Sequence, residues 1–110
     1  MKKAESVRLI LEPQDLTTVK TILNTQVPDY TVWAFGSRVS GTPKPWSDLD
    51  LAIISEHPIP LLRRFYLNDA FAESNLPITV DTVDWALATD DFKKIIQQAY
   101  VVLQAAPASA

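Results

Sequence analysis

The feature that most constrains the fold of this chain is a pair of strand-like runs joined by a loop rich in turn-forming residues. Residues 30–35 are aromatic and β-branched, which predicts a buried strand that stops at Gly36. Pro43 and Pro45 then interrupt the chain before a second apolar run over residues 49–54. A chain of 110 residues has room for one core, so both strands are expected in the same sheet.

Two polar motifs border this loop, Gly36-Ser37 before it and Asp48-Leu49-Asp50 after it, with ten residues between them. Glycine lets backbone N–H groups approach an anion, and Ser37 with the following amides would open a helical turn whose positive end favours phosphate. The alternative is a β-hairpin whose long loop carries solvated aspartates. Both glycines of the chain lie in this segment, which favours the phosphate-binding turn.

The second motif predicts a metal site. Side chains alternate between the two faces of a strand, so Asp48 and Asp50 should point the same way while Leu49 and Leu51 point into the core. Two carboxylates so close cannot both stay ionised without cost, and a divalent cation between them removes the conflict. Magnesium fits because it prefers one or two carboxylates plus substrate phosphates. Two such ions can clamp both oxygens of a displacement at phosphorus, which points to nucleotidyl transfer.

The segment GSRVSGTPKPWSDLDLAI resembles the signature of the minimal nucleotidyltransferases, the smallest members of the DNA polymerase β-like nucleotidyltransferase superfamily. The resemblance extends from about Leu16 to Leu103. It implies a third carboxylate, the first Asp of a VDxVD-like strand, which is Asp81 here. It also implies an antitoxin paired with a small helical HEPN toxin, and transfer of AMP from ATP to a tyrosine of that toxin.

The rest of the chain predicts an α/β (α+β) fold, a small mixed sheet flanked by helices, which the resemblance identifies as the polymerase β-like nucleotidyltransferase fold. Further strands are predicted over residues 78–83 and 100–103, and helices over residues 13–24, 59–71 and 90–99, the last capped by Thr89. The helix over 59–71 is apolar on more than one face, which is typical of a buried or bound helix. Residues 1–110 should form a single domain, with flexible ends at 1–12 and 104–110.

Composition excludes several classes of function. The net charge is −3 and no long Lys/Arg run occurs, so the electrostatic footprint of a nucleic-acid-binding protein is missing. The absence of cysteine excludes disulfides and thiolate metal sites. No apolar run is as long as a membrane span, and the first residues lack a signal-peptide pattern, which predicts a cytoplasmic protein without membrane contact.

Several polar residues have two interpretations. Arg38 could reach the triphosphate or an acidic group of the partner, or it could be a solvated surface residue. His57, the only histidine, lies in a predicted connection and is not expected to be catalytic. Alternation places Asp81 and Asp84 on opposite faces of their strand, so one metal site can use only one of them. Asp81, among apolar neighbours, is the candidate, and Asp84 should cap a turn in water. Trp46 could stack on a base or cover the loop.

The leading hypothesis is a magnesium-dependent enzyme that transfers AMP from ATP to a hydroxyl, presumed to be a tyrosine, of a HEPN-type partner. In it Gly36 and Ser37, with Arg38 as a further candidate, hold the phosphates of ATP. Asp48 and Asp50 bind two Mg²⁺ ions, while Asp81 completes one metal site and helps activate the acceptor. One alternative is a non-catalytic antitoxin that covers its partner, and a weaker one is a small-molecule nucleotidyltransferase.

Overall fold

The computed structural model describes residues 7–107, which form four helices, four strands and one short 3₁₀ turn. In chain order these are α1 (Pro13–Gln26), β1 (Thr31–Phe35), α2 (Ser37–Ser40), β2 (Leu49–Ile54), α3 (Leu61–Ala72), β3 (Val80–Asp84), the 3₁₀ turn (Trp85–Leu87), α4 (Asp90–Gln98) and β4 (Val101–Gln104). None of these helices is long and apolar enough to cross a membrane.

The four strands form one mixed sheet in the order β3-β2-β1-β4. Strand β1 runs antiparallel to both β2 and β4, whereas β2 and β3 are parallel. Parallel neighbours need a crossover, and α3 supplies it between β2 and β3. The predicted mixed sheet with flanking helices is therefore confirmed, and β2, which follows Asp48 and contains Asp50, lies in its interior.

Both faces of the sheet are covered by apolar side chains. On one face α1 and α3 pack through buried Leu23 and Leu67 against Leu51 of β2. On the other face Ile96 of α4 packs with Ala52 of β2 in a smaller cluster. Burying each large aliphatic side chain contributes about 1.5–3 kcal/mol, so β2 is firmly held by core on both sides.

The helix boundaries lie close to the predicted ones. Pro13 opens α1 in the first turn, where its missing N–H does no harm, and the hydroxyl of Thr89 accepts a 3.1 Å hydrogen bond from the Phe92 N–H as the N-cap of α4. Helix α3 begins two residues later than predicted. The reason is tertiary, because the N–H of Ile59 donates to Asp84 Oδ2 at 2.8 Å and thereby holds the chain ahead of the helix.

Residues near both ends of the described chain make contacts with the rest of the fold. The Ile10 N–H donates to the Arg38 carbonyl at 2.8 Å, and the side chains of Leu9 and Leu11 pack against the core. At the other end the Gln104 amide donates to two carbonyls at 2.8 Å, and the Ala106 N–H donates to a threonine hydroxyl at 2.9 Å. The flexible ends at 1–12 and 104–110 stay a prediction, and residues 1–6 and 108–110 lie outside the part described.

Candidate active site

The end of β1 and the start of β2 bring Gly36 against Asp50. In the antiparallel register Phe35 lies opposite Asp50. Gly36, the next residue, lies beside the Asp50 carboxylate. Gly36 has φ +84°, and a Cβ at this position would collide with Asp50 Oδ2. Both the backbone conformation and the lack of space require glycine. The two halves of the sequence motif are therefore in direct contact.

The helical turn predicted after Gly36 is present as α2. The Val39 N–H donates to the Gly36 carbonyl at 3.0 Å, and the Gly41 N–H donates to the Ser37 carbonyl at 3.1 Å. The residue Ser37 is exposed, so its hydroxyl is accessible to a ligand. The local geometry is the expected one, and its use in phosphate binding stays a prediction.

The three candidate carboxylates belong to two neighbouring strands, β2 and β3, and to the residue just before β2. Strands β2 and β3 are parallel, and their register pairs Asp50 directly with Asp81, while Asp48 precedes β2 by one residue. The residues Asp48 and Asp81 are exposed, whereas Asp50 is partly buried. Leu49 and Leu51 are fully buried, as strand alternation predicted. Because β3 is an edge strand, Asp81 lies where an external group can approach it.

The charges of these three residues affect one another. Burial is the main cause that raises the pKa of Asp50 from its ordinary value of 3.8 to about 6, and repulsion from Asp81 and then from Asp48 adds to it. Repulsion of this kind requires the three carboxylates to be close in space. A bound cation would reverse it, because positive charge favours the ionised carboxylate.

The donor set fits magnesium by its chemistry. All three candidates, Asp48, Asp50 and Asp81, offer hard oxygen atoms of the kind that Mg²⁺ prefers, and nucleotide phosphates usually complete such a site. In the side-chain conformations of this structure, no set of three or more His, Cys, Asp or Glu residues within 7–107 is arranged to hold a metal ion. Burial raises the pKa of Asp50, and repulsion from Asp81 and Asp48 adds to it, so the site nevertheless holds an excess of negative charge that a cation would relieve.

We expect Asp50→Asn to stabilise the metal-free protein at pH 8. The native state binds the Asp50 proton more tightly than the unfolded state, so stability falls as pH rises from about 3.8 to about 6, and above this range the ionised carboxylate destabilises the fold. After discounting for solvent screening, the gain should be about 1–2 kcal/mol at pH 8 and should vanish below pH 4. Urea denaturation at both pH values measures it. Asp91→Asn, at an exposed position in α4, is the control, and equal stability of wild type and Asp50→Asn at pH 8 would contradict the raised pKa of Asp50.

Arg38 is buried, and its side chain donates hydrogen bonds to the backbone. Its residue is only 7% exposed, and its guanidinium donates to the carbonyls of Ser47 and Ile10 at 3.0 Å, Pro45 at 3.1 Å and Lys44 at 3.3 Å. The expectation of a solvated surface residue is therefore wrong. The same contacts direct the guanidinium into backbone carbonyls, so the suggested phosphate contact has no support from its position. A buried arginine within so short a helix gives no sequence signal that distinguishes it from an exposed one.

Two arguments about the third strand also need correction. Asp81 is exposed, so burial among apolar neighbours is not the reason to assign it a metal, and its register with Asp50 takes that place. Asp84 does accept a hydrogen bond from the Ala86 N–H in the following turn, as predicted, but it does so while 3% exposed and not in water. Ser55 Oγ and the Ile59 N–H each donate to its carboxylate at 2.8 Å.

The site combines a glycine turn with two aspartates that lie side by side in neighbouring parallel strands. This combination indicates that the protein is a nucleotidyltransferase. The chain belongs to the nucleotidyltransferase domain family, whose model matches residues 16–105.

The chain is also similar to individual proteins and solved structures. The chain is 57% identical over 97 residues to the probable protein adenylyltransferase MntA of Haemophilus influenzae, covering 88% of this chain and 85% of that protein. Among solved structures it resembles a toxin–antitoxin complex with AMP-PNP, with a TM-score of 0.68, 24% identity and coverage of 82% of this chain and 73% of the other. A complex of tri-AMPylated Shewanella oneidensis HEPN toxin with MNT antitoxin gives a TM-score of 0.64 at 20% identity, covering 86% and 73%. The two structural matches support the fold.

Proposed function

We propose that this protein transfers AMP from ATP to a hydroxyl group, a tyrosine by preference, of a HEPN-type partner protein, and thereby acts as an antitoxin. The observation that carries the proposal is the contact of Gly36 with Asp50 beside Asp81 in the neighbouring strand. It is supported by 57% identity to a protein described as a probable protein adenylyltransferase. Structures that share the fold include a tri-AMPylated HEPN toxin with its MNT antitoxin.

In the proposed reaction the acceptor oxygen attacks the α-phosphorus of ATP. A bond forms between this oxygen and phosphorus, the bond from the α-phosphorus to the bridging oxygen breaks, and pyrophosphate leaves. The turn at Gly36 and Ser37 would hold the β- and γ-phosphates. Asp81 would accept the hydroxyl proton, since its exposed position on an edge strand gives the acceptor access to it.

Asp48, Asp50 and Asp81 would hold two Mg²⁺ ions, the pair that the sequence predicts. When bound, the metal neutralises charge on the phosphates and on the attacking oxygen. The chain's own contribution is to keep the carboxylates together despite their repulsion, which the packing of Leu49 and Leu51 accomplishes. The elevated pKa of Asp50 supports this division of roles, because a strained, proton-binding carboxylate is a typical feature of a functional site.

A labelling experiment with two forms of ATP tests the reaction. The purified protein is mixed with a HEPN-type partner, Mg²⁺ and ATP labelled at either the α- or the γ-phosphate. Label from the α-position should appear on the partner only with Mg²⁺ or Mn²⁺, because AMP transfer keeps the α-phosphorus and releases the other two. Transfer of γ-label would indicate kinase chemistry and overturn the proposal. A reaction without the partner is the control for self-labelling.

Helix α3 carries the surface that we assign to the partner. Its outward side chains are apolar and unusually exposed, namely Leu61 (84%), Leu62 (61%), Phe65 (60%) and Tyr66 (51%). The opposite side of the same helix is buried through Leu67 and Phe71. The expectation of a helix that is apolar on more than one face is confirmed. A large apolar patch on a small domain is typical of a protein interface.

We expect Tyr66→Asp to weaken the complex with the partner by about tenfold or more, because it places a charge on this apolar surface, beside Phe65. Isothermal titration or gel filtration with the partner measures the loss. The matched control is Ile95→Asp, which changes an exposed apolar residue (59%) on α4, across the sheet from α3. Equal affinity of a folded Tyr66→Asp variant would remove α3 from the interface.

The non-catalytic antitoxin stays the main alternative, since an apolar α3 surface serves binding with or without chemistry. The small-molecule nucleotidyltransferase is the weaker alternative, because the chain is 57% identical to a protein described as a probable protein adenylyltransferase. The need for ATP and a protein acceptor supports the cytoplasmic location that the sequence predicts.

A further inference from the structure

The loop between α2 and β2, residues 41–48, is here called the motif loop, and it ends on Asp48. Arg38 lies in α2, ahead of the motif loop, and its side chain binds the loop backbone. Its Nε donates to the Ser47 carbonyl, and its Nη2 donates to the carbonyls of Lys44 and Pro45. Nη1 donates to the Ile10 carbonyl, and the Ile10 N–H in turn donates to the Arg38 carbonyl. One side chain thus connects the motif loop to the segment ahead of α1.

We propose that Arg38 is a positioning residue that sets the place of Asp48 by holding the motif loop. This inference rests on the proposed function, because it takes Asp48 as a metal ligand. The Ser47 carbonyl belongs to the peptide plane that ends at the Asp48 nitrogen, so a hydrogen bond to that oxygen limits rotation of the plane. On the other side of Asp48, the Leu49 N–H donates to the Thr79 carbonyl at 3.0 Å.

The charge of Arg38 is matched by carbonyl dipoles and not by a carboxylate. Within residues 7–107 the only ion pair joins Arg63 to Asp29, elsewhere in the molecule. A buried guanidinium is expensive unless its N–H groups are satisfied, and four carbonyl contacts do this for Arg38. The carbonyls must therefore stay where they are for the charge to stay buried, which couples the order of the loop to the burial of the arginine.

The loop has a second support of its own. The Lys44 N–H donates to Ser47 Oγ at 2.9 Å, and the Ser47 N–H donates to the Lys44 carbonyl at 3.0 Å, which closes a tight turn. Pro43 and Pro45 restrict the backbone within the same stretch. Arg38 attaches this pre-formed turn to the rest of the fold, so Asp48 is presented by a rigid segment although its residue is exposed.

Arg38→Lys tests the proposal, because lysine keeps the positive charge but lacks the planar fork that reaches several carbonyls. We expect amide hydrogen exchange of residues 44–48 to become at least tenfold faster. We expect the dissociation constant for Mn²⁺, measured by titration calorimetry without acceptor, to rise by about 10–100-fold, the range found when groups that orient a metal ligand are changed. Arg63→Lys, which alters an arginine bound to Asp29, is the matched control and should change neither quantity.

Each outcome decides the proposal. Unchanged exchange in folded Arg38→Lys would show that the arginine does not hold the loop, and faster exchange with unchanged Mn²⁺ affinity would show that the loop does not set Asp48. If Arg38→Lys does not fold by circular dichroism, Ser47→Ala loosens the same turn without touching the buried charge, and unchanged Mn²⁺ affinity there overturns the proposal. If the wild type binds no Mn²⁺, the proposed function fails, and the exchange experiment still tests the hold of Arg38 on the loop.

Discussion

Changing both Asp48 and Asp50 to Asn should abolish transfer of α-label to the partner, a loss on the order of a thousandfold or more. Asn keeps the size of each side chain but removes the two charges that would hold the metal and stabilise the reacting phosphate. The fold should survive, because the packing of this strand depends on Leu49 and Leu51, which are fully buried. Labelling measured with equal amounts of folded protein provides the test.

The control for this double variant is another adjacent acidic pair. Asp90 and Asp91 lie exposed in the first turn of α4, and changing both to Asn alters net charge by the same amount without touching the site. The same pair of proteins separates the two main hypotheses in cells. If the Asp48/Asp50 variant neutralises its toxin as fully as the wild type at equal expression, the binding-module hypothesis is correct.

The second large effect is expected at Asp81. Asp81→Asn should lower transfer by on the order of a hundredfold or more, because Asp81 lies in register with Asp50 and is the residue that we propose as acceptor of the hydroxyl proton. Initial rates at saturating ATP and Mg²⁺ measure the loss. Raising the pH should not restore the rate, since Asn cannot act as a base at any pH.

Asp84→Asn is the matched comparison on the same strand. Asp84 faces the opposite way and accepts hydrogen bonds from Ser55 Oγ and from two backbone N–H groups, so its change should cost stability, by about 1–3 kcal/mol. Transfer per folded molecule should fall far less than in Asp81→Asn. A folded Asp84→Asn enzyme that loses more activity than Asp81→Asn would reverse the assignment of the third carboxylate.

The acidic side of the pH profile follows from the same site. The pKa of Asp50 is raised to about 6 in the metal-free protein, so protons and cations compete for this carboxylate below that value. Metal binding should therefore weaken as pH falls through 6. Burial of Asp50, together with repulsion from Asp81 and Asp48, accounts for the instability that this residue imposes on the metal-free fold.

The sequence alone determined the parts of this protein that depend on local chemistry. Glycine at position 36, the alternation of Leu49 and Asp50 along a strand, and the threonine cap before α4 each follow from backbone geometry and side-chain type over a few residues. Because these preferences act within one element, the strands, helices and candidate carboxylates could be placed from the residues, and resemblance added Asp81.

Tertiary structure decided what depends on residues far apart in the chain. The parallel pairing of β2 with β3 puts Asp81 beside Asp50, and no local pattern states which strands become neighbours. Arg38 is buried because carbonyls of the motif loop and of Ile10, 28 positions away, converge on it. Asp84 is buried because Ser55 and Ile59 close over it. Burial and hydrogen-bond partners are set by the folded chain as a whole, so the same residue types read as surface residues until the fold encloses them.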